Sequence, residues 1–145
     1  MRSSKQLSGN TKNMNKFIGC ILEESLENKS ILDTIKIVST KVEQTTEKHK
    51  TPWVKQWTHH KVEIGIDEAD SIAEKISKAL DNEHKYSWYA DFKNDYTHYV
   101  IFKDKIFKID RTKEQEYNEA TKYGIDLGIP DYQVDFAKNV KKWER

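Results

Sequence analysis

The block from Tyr86 to Asp110, YSWYADFKNDYTHYVIFKDKIFKID, constrains the fold more than any other part of the chain. Its aromatic and β-branched residues, broken near Asn94-Asp95 and again near Asp104, predict a meander of three antiparallel strands around 87–93, 97–102 and 105–110. With a two-residue turn at Asn94-Asp95, Lys93 opposes Tyr96, Phe92 opposes Thr97 and Asp91 lies directly across from His98. That register sorts Tyr89, Val100, Phe102, Phe107 and Ile109 onto one face and Trp88, Ala90, Phe92, Tyr99, Ile101 and Ile106 onto the other. Both faces are apolar, so both need cover. The first is the natural seat for a helix. The second is left to the remaining strands, a C-terminal arm, a second subunit or stacked bases.

The helix itself is read over 67–81, where Ala69, Ile72, Ala73, Ile76, Ala79 and Leu80 make one apolar stripe behind an N-cap at Asp67. Upstream, Phe17–Leu22 (FIGCIL) predicts a strand buried on both faces. Ile35–Glu43 alternates with a change of phase that a bulge near Val38 would reconcile. Thr51-Pro52 interrupts the pattern. From Trp57 to Ile64 alternation returns, with His60, Val62 and Ile64 on one side and Trp57, His59, Lys61 and Glu63 on the other. Downstream, Thr112 and Gln115 fit a capping box that opens a helix with Tyr117, Ala120 and Tyr123 on one face and Gly124 as its stop. The C-terminal tail, with Val134, Phe136, Val140 and Trp143, reads as a strand, a short helix or an arm packed on the body.

These elements predict one α+β domain over 14–145, with antiparallel strands in the order β-β-β-α-β-β-β-α and the helices packed on one face. Residues 1–13 are too polar to offset their ordering entropy and read as a disordered tail. A length of 145 residues fits one core. No apolar run is long enough to span a bilayer and the N-terminus lacks a signal-peptide core, so the expected location is cytoplasmic. The single cysteine, Cys20, excludes an internal disulfide and a multi-cysteine zinc cage. Lying inside FIGCIL, it reads as a buried, inert thiol. Glycine-rich phosphate loops, GxSxG and CxxC are absent, which disfavours the common cofactor folds; no cofactor is expected.

Charge is unevenly divided: residues 1–61 hold 11 Lys/Arg against 6 Asp/Glu, and the rest hold 14 against 18. The basic half includes KHKTPWVKQWTHHK, residues 48–61, which contains no acid at all. Lysines attract phosphates and flat rings stack on bases, so Lys48, Lys50, Trp53, Lys55, Trp57, His59 and Lys61 form a candidate surface for an anionic partner such as single-stranded nucleic acid. His59 and His60 point to opposite faces of a strand, which disfavours a shared metal ion, and no metal site is expected. A bland reading competes, in which the tryptophans anchor a core and the lysines face water.

Three segments, KHKTPWVKQWT at 48–58, WYADFKN with HYVIFKDKIFKID across 88–110, and YGIDLGIPDYQVDF at 123–136, together resemble a family of small, uncharacterised prokaryotic proteins. That family has no established activity, so the resemblance implies no site residue. The expected function is a non-enzymatic binding module built on the basic-aromatic strip. The alternatives are a metal-independent enzyme in which Asp91 orients His98 as a base, and a homodimer through the Trp88, Phe92, Tyr99 and Ile101 face.

Overall fold

Among the described residues, alternation and turn chemistry build six strands and two α-helices in the expected chain order: β1 (Lys16–Leu22), β2 (Lys36–Gln44), β3 (Gln56–Gly65), α1 (Ala69–Ala79), β4 (Ala90–Lys93), β5 (Thr97–Phe102), β6 (Lys105–Asp110) and α2 (Glu114–Leu127). The computed structural model describes residues 16–84 and 88–136; the predicted tail at 1–13, and Val140 and Trp143 of the arm, lie outside them. All six strands join one antiparallel sheet in the order β2-β3-β1-β4-β5-β6. No described helix is long and apolar enough to cross a membrane.

The two helices lie on opposite faces, which corrects the expectation that both pack on one. The apolar stripe of α1 buries Ile72, Ala73 and Ile76 against Phe17, Ile21, Val62, Ile64, Phe92, Tyr99 and Ile101. This is the face that the sequence left without a helix. The opposite face of β4–β6, with Val100, Phe102 and Ile109, is covered by Tyr117 and Ala120 of α2 and by Ile129, Val134 and Phe136 after it. Two apolar faces on one meander thus find two helices, one each. The homodimer surface is thereby removed, since Trp88, Phe92, Tyr99 and Ile101 are all at most 3% exposed beneath α1.

Several local expectations need correction. The meander turn sits at Asp95-Tyr96, because the Asn94 side-chain oxygen accepts the Tyr96 and Thr97 amides at 2.9 and 2.8 Å and the Asn94 amide donates to the Thr97 carbonyl. Asparagine here is the cap of the turn, not its first central residue. Lys93 therefore opposes His98 and Asp91 opposes Val100. Moving the turn by one residue moves each partner by two, so every side chain keeps its face.

Asp67 does not cap α1; Glu68 occupies that position without a side-chain bond, and its amide closes a tight turn onto the Gly65 carbonyl. Thr112 does not cap α2, because its amide and hydroxyl both donate to Asp110 Oδ1. Gly124 lies inside α2 rather than ending it: a Cβ there would stand 2.8 Å from Val134 Cγ1, so the glycine admits the arm. The stop is Gly128, left-handed at φ 107°, whose amide reaches the Gly124 and Ile125 carbonyls.

The bulge does appear, as a register shift between Ile37 and Ser39. β1 is buried on one face only: Phe17 and Ile21 are sealed under α1, while Ile18 is 38% exposed and Cys20 is partly open. The outer faces of β2, β3 and β1 carry exposed Lys36, Ser39, Lys41 and Lys61. Half of one sheet face is thus accessible.

β1 meets β4 through just three residue pairs, centred on Gly19 opposite Phe92. A Cβ at Gly19 would come within 2.4 Å of Phe92 Cβ and closer still to the Asp91 carbonyl, which is backbone and cannot swing aside. Gly19→Ala should therefore cost about 3 kcal/mol, the upper end of overpacking penalties, in urea denaturation. Unchanged stability would mean the junction has slack.

Candidate functional site

Strand alternation and one short turn assemble the strip. On β3, Thr58, His60, Val62 and Ile64 face the core, and Trp57, His59, Lys61 and Glu63 face outward. The loop before β3 is organised by Thr46, whose hydroxyl accepts the Lys48 amide while its own amide donates to His49 Nδ1 at 2.9 Å. Lys50 ends this turn in the left-handed conformation, at φ 61°. Lys48, Lys50, Lys55 and Lys61 are exposed.

The two tryptophans differ. Trp53 is 40% exposed and lies flat on His84, ring centres 4.0 Å apart at 11°. Trp57 is half-buried: its indole N–H donates to Thr51 Oγ1 at 2.9 Å, and its ring stands edge-on to His49 at 4.4 Å. Trp88, fully buried, touches both rings at 6.1 Å. Trp53 is thus a surface platform on an aromatic base, and Trp57 is part of the base.

A stretch without acids borrows one from the neighbouring strand. Glu43 of β2 pairs with Trp57 and reaches both imidazoles on that side, His59 Nε2 at 2.9 Å and His49 Nε2 at 3.2 Å. The hydrogen bond from His59 holds the Glu43 carboxyl below its ordinary pKa, against the opposing effect of burial and with the help of His49. Because an ionised carboxylate only accepts, each ring places its N–H on Nε2. His49 Nδ1 then accepts the Thr46 amide, and His59 Nδ1 is turned to Cys20 Sγ, 3.7 Å away. The same surface holds a second shared acid, Glu63, bound at 3.2 Å by both Lys16 and Lys36 and also shifted down in pKa by those two bonds.

Cys20 is therefore neither sealed nor solitary, which corrects its reading as a buried, inert thiol. Its partner was hidden by distance: Cys20 and His59 are 39 residues apart in sequence and meet only through the β1–β3 register, where Cys20 opposes Lys61 and His59 is the diagonal neighbour. His60, on the other face, bonds Glu23 and Thr40 at 2.9 Å each. Among the described residues no group of three or more His, Cys, Asp or Glu side chains is placed to hold a metal.

Asp91 and His98 do come together, also diagonally: His98 Nε2 donates to Asp91 Oδ2 at 2.7 Å, and Tyr117 of α2 meets His98 Nδ1 at 2.9 Å. At 0% exposure for His98 and 3% for Asp91 the pair has no opening for a substrate. It is a polar clamp that ties α2 to the sheet, and the proposed base at His98 is withdrawn. Burial holds the His98 pKa below its ordinary value, against the opposing pull of Asp91.

Comparison of the chain with protein-family models, curated proteins and solved structures finds no match, and so identifies no family.

The buried imidazole has a pH consequence. With its folded pKa depressed, His98 takes up a proton more readily in the unfolded chain, so its contribution to stability is present above the unfolded value near 6.5 and is lost as pH falls below it. Thermal unfolding should show Tm falling between about pH 7 and 5.5, with a shallower slope in a folded His98→Gln variant. Equal slopes would assign the pH effect elsewhere.

Proposed function

We propose that this protein binds single-stranded nucleic acid along the outer face of β2 and β3 and the loop between them. One observation carries the reading: Lys41, Lys48, Lys50, Lys55 and Lys61 are exposed and form no ion pair among the described residues, whereas Glu43 and Glu63 on the same surface are each engaged by two basic side chains. The local field is positive by number: five lysines without an ion pair stand against Glu43, held by two imidazoles, and the exposed Glu47, while Glu63 is matched by Lys16 and Lys36. Phosphates replace the counterions around such lysines, which supplies most of the affinity.

Trp53 adds the second ingredient. A base can stack on an exposed indole at a gain of roughly 1–3 kcal/mol, and stacking tolerates any sequence. Trp53 is held for this by His84 beneath it, so little side-chain freedom remains to be lost on binding. His59 and Trp57 belong to the supporting wall rather than to the contact row. Stacking and phosphate contacts carry no base identity, so binding is expected to be weakly selective among sequences.

The test is fluorescence titration with an oligothymidylate at low salt. Tryptophan emission should be quenched, affinity should fall steeply with salt, and Lys50→Glu with Lys55→Glu should weaken binding by roughly 100-fold with unfolding unchanged. Trp53→Ala should remove most of the quench. Wild-type protein that ignores the oligonucleotide at low salt contradicts the reading.

A further inference from the structure

We infer that Cys20, His59 and Glu43 form a nucleophilic relay on the open half of the sheet, suited to covalent chemistry on an electrophilic carbonyl carried by an anionic molecule. The relay needs a base facing the sulfur and a group that fixes the base. Both are present: His59 Nδ1 lies 3.7 Å from Cys20 Sγ, and Glu43 Oε1 takes the Nε2–H at 2.9 Å. Glu43 thereby sets the tautomer, because a proton committed to Nε2 leaves the Nδ1 lone pair directed at the thiol. The order nucleophile, imidazole, carboxylate is the logic by which a weak nucleophile is activated at neutral pH.

Access separates this relay from the buried Asp91–His98 pair. The His59 side chain is 31% exposed, Glu43 is 47% exposed, and Cys20 is partly open. Besides Glu43, the charged residues that the strand register sets next to the relay are Lys61, the direct partner of Cys20 on β3; Asp91, its partner on β4; and Lys41, opposite His59. Asp91 keeps its charge beside the neutral His98 but is buried, 3% exposed, whereas Lys41 and Lys61 are exposed and form no ion pair among the described residues. An anionic group on the substrate is thus the complement of this surface.

In the reaction, the thiol proton passes to His59 Nδ1 as sulfur bonds to the acyl carbon. The leaving alkoxide or thiolate departs with that proton. Water, deprotonated by His59, then cleaves the thioester, releasing a carboxylic acid and restoring the thiol. None of these steps requires the chain to bind nucleic acid, so an oligonucleotide-blind protein with a fast thiol would still carry the inference.

Cys20 is the only cysteine, so every thiol reaction of the intact chain reports on it. Alkylation by iodoacetamide at neutral pH, followed by intact mass, should run at least about tenfold faster in the folded protein than in the same chain in urea, as expected for a thiol activated by an adjacent imidazole. His59→Gln, checked for folding by circular dichroism, should lose most of that gain, and Glu43→Gln should lose part of it. Iodoacetate should gain relative to iodoacetamide on folding, and Lys61→Gln should reduce that preference. 4-Nitrophenyl acetate should give a burst of about one equivalent and an acetyl adduct that Cys20→Ser abolishes. A folded thiol no faster than the denatured one, or a His59→Gln variant as reactive as wild type, overturns the relay. Equal folding effects on the two alkylating agents overturn the preference for anions.

Discussion

The contact on which the rest of this structure depends is the short seam between β1 and β4. Two three-stranded units, β2-β3-β1 and β4-β5-β6, become one sheet through three residue pairs, and the middle pair is possible because Gly19 has no side chain to meet Phe92. The seam makes the face under α1 continuous, so that Phe17 packs edge-on to both Phe92 and Tyr99 across it, with centroids 5.4 and 5.3 Å apart. It also sets the opposite face in register, with Cys20 beside Asp91 at the line where cover by α2 and its arm gives way to the accessible half.

The histidines show how burial divides one motif into two roles. All five have a carboxylate within 3.2 Å: Glu43 for His49 and His59, Glu23 for His60, Asp81 for His84, and Asp91 for His98. Where such a pair is sealed, as at His98, the ring is held neutral and its two nitrogens tie a strand to a helix. On the accessible half at His59 the same imidazole–carboxylate unit turns its second nitrogen toward a thiol. The chemistry is the same. What differs is whether α2 or solvent lies above it.

Much of this was legible in the sequence because it depends on short-range periodicity. The α1 stripe, the bulge near Val38, the outward row Trp57-His59-Lys61 and the two apolar faces of the meander follow from spacing within a dozen residues. The errors fall where a side chain or a distant strand overrules the local pattern. Asn94 caps its own turn and moves the register; Asp110 captures the Thr112 hydroxyl; Val134 explains a glycine inside α2. Which helix covers which face was not legible, since both faces offered aromatic and aliphatic residues of similar size. Nor could the sequence reveal Cys20 beside His59, because that contact depends on which strands pair, not on any spacing along the chain.

The proposal makes the open half of the sheet, β2, β3 and the joining loop, the working face, with β5, β6 and α2 as its support. Amide chemical-shift mapping of the labelled protein during titration with a short oligothymidylate measures this directly. The account predicts shifts that cluster on Ser39–Glu43, Lys48–Lys55 and Trp57–Lys61 and leave β6 and α2 unmoved. Shifts gathered along α2 and β6, or none on β2 and β3, would contradict it.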